Sequence, residues 1–136
     1  MMKVDFKART SANQIGAELK LRGEKLRAAM ERGADDAASF VWAEAVKRAP
    51  IDEGNLQASG HYEPITVSGK FSRRVYFDEP YAAAMHEGHY NLGERSQKKQ
   101  GHLGSIIVGR RYLARAFEEN RPRIGRIIAE AGKGAV

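Results

Sequence analysis

The stretch Ala49-Pro50-Ile51-Asp52-Glu53-Gly54-Asn55-Leu56 decides the fold, because a long helical pattern stops there and a β pattern starts. Proline has no amide hydrogen for a helical ladder and drives the preceding residue toward extended geometry, so Ala49 falls among the last helical residues. Asp52 and Asn55 carry short side chains that bond nearby backbone, and Gly54 accepts positive φ. The chain turns here, and Leu56 opens the next element.

Toward the N-terminus, Leu26, Met30, Gly33, Ala37, Val41 and Ala45 recur every three or four residues as far as Ala49. The phase passes through Gly33 unbroken. Since a helical glycine costs only ~1 kcal/mol relative to alanine, the pattern predicts one helix over about 24–49, bent at most at Gly33. It also predicts that Gly33→Ala leaves stability equal or raises it by up to ~1 kcal/mol. The many alanines leave little bulk, so Phe40, Val41, Trp42 and Val46 supply the larger apolar area. Trp42 reads as a core anchor or as an intersubunit contact. Farther upstream, Ser11-Ala12-Asn13-Gln14 has the form of a capping box opening a shorter helix with Ile15 and Leu19 on one face, closed at Arg22-Gly23. Residues 1–10 read as an N-terminal arm.

Toward the C-terminus, 56–67 and 71–77 read as two strands of an antiparallel hairpin, with Ile65, Val67, Val75 and Phe77 alternating against polar or half-polar neighbours. Ser68-Gly69-Lys70 supplies the reversal, and Pro64, lacking a donor, calls for an edge position or a bulge. Tyr81 to His86 forms a short helix. From Gly88 to Gly104 there is no apolar periodicity, and the polar run Glu94-Arg95-Ser96-Gln97-Lys98-Lys99-Gln100 reads as a projecting loop that orders against a neighbour. Its Arg95, Lys98 and Lys99 are the candidate contact residues. Ser105 to Val108 reads as a further strand. Arg110 to about Ala131 reads as a helix with Leu113, Ala116, Phe117, Ile124, Ile127 and Ile128 along one stripe, interrupted at Pro122, with Asn120 able to cap the second piece and 132–136 as a tail. The expected architecture is a single α+β domain: a small antiparallel sheet packed on one face by a long central helix and a C-terminal helix.

Three pieces stand in order along this chain: Ala-Pro-x-Asp-x-Gly-x-Leu at 49–56, Tyr81-Ala82 running to Glu87-Gly88, and Tyr112-Leu113-Ala114-Arg115-Ala116 opening the last helix. Together they make the chain resemble the HK97 gp10-like family of tailed-phage head–tail joining and tail-completion proteins, over roughly 24–119. Two positions depart from that pattern, Glu53 where the family usually has Thr and Gln57 where it usually has a basic residue. The resemblance implies a structural virion protein acting at the head–tail joint as a ring of identical subunits, with six-fold symmetry where it meets a tail tube. The implied partners are copies of itself and other neck and tail proteins (connector or stopper, tail terminator, tail tube). The implied location is the neck or tail of the virion, after assembly in the host cytoplasm. It marks Pro50, Asp52, Gly54, Leu56, Tyr81, Glu87 and Gly88 as the residues of the structural motif.

Composition narrows the chemistry. The chain has 136 residues, the size of one domain, and no cysteine, which removes disulfides, thiolate metal sites and thiol nucleophiles. No apolar run reaches the ~20 residues that span a bilayer, so no membrane partner is expected. A net charge of +6 makes an acidic protein surface or nucleic acid the natural partner. Non-specific contact with packaged DNA through the basic loop fits that charge, and the alternative function is a small basic protein that binds nucleic acid without sequence preference. His86-Glu87-Gly88-His89 lacks the His-Glu-x-x-His spacing of a zinc helix, since Tyr90 stands four residues after His86. No metal, cofactor or catalytic residue is expected. Glu87, beside a glycine turn, reads as a cap for backbone amides or as a partner for a nearby arginine.

Overall fold

A computed structural model describes residues 8–51, 54–67 and 70–134. Asp52, Glu53, the Ser68-Gly69 reversal, residues 1–7 and 135–136, and the side chains of the expected capping box lie outside the described residues.

The elements are α1 (Ala8–Arg48), α2 (Asn55–Ala58), β1 (Gly60–Val67), β2 (Lys70–Phe77), α3 (Ala82–Glu87), α4 (Glu94–Leu103), α5 (Tyr112–Glu118) and α6 (Arg121–Lys133). The class is α+β, with a two-stranded antiparallel sheet packed with the long helix and the C-terminal helix. The strands pair from Gly60↔Phe77 to Val67↔Lys70, and Pro64 faces Arg73 in an unbroken register without a bulge.

α1 corrects the expectation of two helices. It is continuous for 41 residues, passes through Arg22 and Gly23, and includes residues 8–10 of the supposed arm. A Cβ at Gly23 would meet nothing within 4 Å, so no contact forces a break and the helix simply continues. Gly33 is different. A Cβ there would lie 2.8 Å from the Ala131 Cβ and 3.2 Å from the Ile128 Cα, so glycine serves the close approach of α6. The expectation that alanine is tolerated there is therefore reversed. α6 runs antiparallel to α1, with Arg123 over the Phe40 ring, Ala131 against Gly33 and Gly132 beside Leu26.

The chain leaves α1 at Ala49-Pro50 as expected, with Ala49 still donating to the Ala45 carbonyl at 2.9 Å. Gly54 then adopts φ 86°, ψ −1°, the left-handed conformation that glycine accepts most easily. The strand expected from Leu56 begins only at Gly60. Residues 55–58 form one helical turn that buries Leu56, closed by the Ser59 hydroxyl donating to the Leu56 carbonyl at 2.8 Å. Leu56 joins Ala49, Ala82 and Tyr112 in the core, flanked by Phe77, Met85 and Leu113. Tyr112 is its largest member. Its ring meets Phe77 and His86 edge-on, and its hydroxyl donates to the Ala82 carbonyl at 3.0 Å. Burial pushes its pKa up to about 12.

The expected projecting loop is also corrected. Residues 94–103 form helix α4, and they pack on the body through polar side chains. No strand forms at 105–108, because Gln100 supplies what a ladder would: its carbonyl accepts from the Val108 amide at 2.6 Å and its amide donates to the Ile106 carbonyl at 2.8 Å. The last helix is two. α5 starts at Tyr112, after Arg111 at φ 57°, and α6 restarts with Pro122 in its first turn. Asn120 sits at the N-cap position, but its side chain donates back to the Ala116 carbonyl at 2.8 Å and does not cap α6. α6 continues to Lys133, into the supposed tail.

Candidate interaction site

The turn after α1, helix α3 and the start of α4 enclose a cleft of about 530 Å³. Pro50, Leu56 and Tyr81 from the expected motif line it, and so does Arg95 from the expected basic segment. Ser96 fixes one wall. Its hydroxyl accepts from the Ile51 amide at 2.7 Å and donates to the Ile51 carbonyl at 3.1 Å, the pairing a neighbouring strand would provide. Opposite, the Tyr90 hydroxyl donates to the Met85 carbonyl at 2.6 Å, and burial raises its pKa. Sequence-distant motif pieces thus meet at one surface.

Lys99 does not reach outward as expected. It turns inward and donates to the Val46 and Ala49 carbonyls at 2.5 and 2.6 Å, acceptors left open where α1 ends. Gln57 adds a bond to the same Val46 carbonyl at 3.3 Å. Burial lowers the Lys99 pKa to about 8. Lys98 behaves as a surface residue, exposed and 3.5 Å from Glu94. The three basic residues therefore divide: Arg95 at the cleft, Lys98 in solvent, Lys99 in the fold.

Next to this cap lies a charged network that the periodicity did not reveal. Arg48 is 3% exposed. Its guanidinium donates to the Glu44 carboxylate and carbonyl, both at 2.8 Å, and to Oε2 of Glu119, the C-cap residue of α5, at 3.1 and 2.8 Å. Burial alone would raise the Glu44 pKa, but hydrogen bonds from Arg48 and Lys47 and their charges hold it below the ordinary value. Arg115 ties down the preceding segment by donating to the carbonyls of Ile107, Gly109 and Arg110. The available signal was Glu44 and Arg48 at i, i+4 on the same stripe as Val41 and Ala45.

Glu87 and Gly88 sit away from the cleft. Glu87 accepts from His86 Nδ1 at 2.7 Å, while His86 Nε2 accepts from the Ala114 amide at 3.2 Å. These roles place the imidazole proton on Nδ1, so the ring caps a free amide in the first turn of α5 and Glu87 orients the ring. The hydrogen bond from His86, with the charges of Arg110 and Arg111 behind it, keeps the Glu87 carboxyl below its usual range. Glu87 thus acts on backbone amides indirectly, through histidine. Gly88 is needed for close approach, since a Cβ would overlap the Ala84 carbonyl. Trp42 is half-buried against Gly60, where any side chain would overlap the indole, and its Nε1 has no partner among the described residues.

Among the described residues, no group of three or more His, Cys, Asp or Glu side chains could hold a metal ion, and no helix is long and apolar enough to cross a membrane. Comparison with protein-family models, curated proteins and solved structures found no match to this chain.

Proposed function

We propose that this protein is a structural component of a tailed-phage or phage-derived particle, forming a ring of identical subunits at the head–tail joint. The observation that carries the reading is the free half of α1. Residues 16–28 are helical and exposed without exception, and they include Leu19, Leu21 and Leu26. At 1.5 Å per residue α1 is ~62 Å long, whereas a domain of this size has a radius of gyration of only ~14 Å. A helix that outruns its own domain while displaying leucine is built for a neighbour. The three ordered motifs supply the identity of the assembly, and the described domain supplies a rigid seat for it.

The basic charge supports an assembly role over nucleic-acid binding, because much of it is engaged within the chain. Arg48, Arg73, Arg111 and Arg115 all sit in ion pairs, and Lys99 caps a helix. Contact with packaged DNA is then a secondary, salt-sensitive attraction. Mass photometry of the purified chain, with and without duplex DNA, tests the proposal. A closed oligomer indifferent to DNA is the expected result. A monomer that shifts only with DNA, and loses the shift as salt rises, would replace this reading with the nucleic-acid one.

A further inference from the structure

Helix α3 holds the start of α5 through its last two residues. The His86 carbonyl accepts from the Arg111 amide at 2.7 Å, the Glu87 carbonyl accepts from the Arg110 guanidinium at 3.0 Å, and His86 Nε2 accepts from the Ala114 amide at 3.2 Å. The imidazole also stands edge-on to Tyr112, the largest fully buried side chain. One ring thus touches both the backbone of α5 and the core beneath it.

The segment it fastens is strained. Among the described residues Arg111 is the one residue other than glycine with positive φ, at 57° with ψ 35°. A side chain persists in that conformation only where its surroundings hold it. Here the holders are the His86 carbonyl on the Arg111 amide and Glu118 on the guanidinium, at 2.9 Å.

The acceptor at Nε2 exists in one protonation state of the ring. A neutral imidazole that donates from Nδ1 to Glu87 presents a lone pair at Nε2, whereas an imidazolium carries hydrogen on both nitrogens and accepts nothing. Protonation would aim Nε2–H at the Ala114 N–H. Two donors cannot share that space, so the ring turns away or the first turn of α5 shifts. Either movement parts the imidazole from Tyr112.

We infer that His86 is a pH-sensitive clasp: neutral, it fastens α5 to α3, and protonated, it releases the first turn of α5 together with the strained Arg111. The device lies within one subunit and works whatever that subunit assembles with. The charges around the ring oppose one another. Glu87 on α3 favours the imidazolium, while Arg110 and Arg111 ahead of α5 disfavour it, Arg111 being partly offset by Glu118. Tyr112 and, from β2, Tyr76 line the same shallow pocket as the ring, and phenols are uncharged where an imidazole titrates. Among these contacts the amide cap is the one that only the neutral ring can make, and it sets the direction of the switch.

Nuclear magnetic resonance of the full chain, labelled with nitrogen-15, tests the clasp. Above about pH 8 the ring nitrogens of His86 should report hydrogen on Nδ1 and a bare Nε2. As pH falls through the ordinary imidazole range, the exchange protection of the Ala114 amide should drop about tenfold, with the midpoint of the His86 ring, while the amide of buried Val41 in α1 keeps its protection. His86→Gln offers a side-chain carbonyl to the same amide and does not titrate, so this pH dependence should vanish. Hydrogen on Nε2 at the upper end, Ala114 protection that ignores the His86 titration, or a loss that Val41 follows in step would each overturn the inference. So would an unchanged pH dependence in His86→Gln, and the parent titration decides the matter without that variant.

Discussion

The two halves of α1 are built from similar residues and have opposite fates. In the inner half, from Ala29 to Arg48, one face is buried at every turn and is closed by α6, by the Arg48 network and by the Lys99 cap. In the outer half, residues 16–28 are all exposed, and Arg22 pairs with Glu18 where both are well exposed. Helix propensity extends the outer half, and packing fixes the inner half. The same residue type should therefore have different worth in each.

The largest expected effect is at Arg48. Arg48→Met removes a buried guanidinium from two carboxylates and should cost about 3 kcal/mol, read as a lower midpoint in urea unfolding. Arg22→Met breaks an exposed i,i+4 pair and should cost no more than about 0.5 kcal/mol. Adding Glu44→Leu to Arg48→Met should return part of the loss, because it removes the carboxylate left unpaired. Equal costs at Arg22 and Arg48 would erase the distinction between the halves.

Glycine sharpens it. Gly33→Ala gains ~1 kcal/mol of helix propensity but drives a methyl into Ala131 and the Ile128 backbone, an overpacking cost of ~1–3 kcal/mol, so the net should be a loss. Gly23→Ala enters open space and should stabilise by up to ~1 kcal/mol. Thermal melting of the two single variants should move in opposite directions.

Much of this could be seen in the sequence, and what could not has one cause. The turn at Pro50, the hairpin, the helix at 82–87 and the break at Pro122 are written in proline, glycine and apolar alternation, which act locally. Helix α4 escaped because its inward residues are Ser96, Lys99 and Gln100, followed by Leu103: spacing of i, i+3, i+4 and i+7, but in polar side chains that bond backbone. A search for apolar periodicity cannot see a face that packs by hydrogen bonds. The cleft was half visible, since Pro50, Leu56 and Tyr81 were singled out by motif order, while Ser96, which fixes its wall, carried no signal beyond that polar spacing. Gly33 and Gly23 look alike in sequence, and only the position of α6 separates them.

The turn that joins the inner half to the cleft depends on backbone strain more than on contacts. Gly54 holds φ 86° with nothing within 4 Å of a would-be Cβ. Gly54→Ala should then cost about 1 kcal/mol through conformation alone, and Gly54→Asn, which tolerates the left-handed region, should cost less. An alanine variant that melts with the parent would show that the turn adopts another conformation in solution.

The smallest expected effect separates Lys99 from its neighbours on α4, and it appears as a pH dependence. The folded pKa of Lys99 lies near 8, below the ordinary 10.5, so between those values the unfolded chain holds a proton that the folded chain has released. Stability therefore rises as pH climbs through that window, and below it the burial penalty of the ammonium is present in full. Half-exposure of the amine, together with two carbonyls that hold its charged form, limits the gain to under about 1 kcal/mol. Tyr112 works in the opposite sense at the top of the range, since its folded pKa near 12 exceeds the ordinary 10 and favours unfolding once the free phenol ionises. The measurement is thus a difference: urea midpoints of the parent and of Lys99→Met from pH 7 to 10, in which the Tyr112 contribution cancels. The parent should gain on the variant as pH rises, whereas Lys98→Met, a change in solvent, should track the parent throughout. Parallel curves for Lys99→Met would mean that the amine at the end of α1 stays hydrated and that Lys99 does not hold α4 to the body.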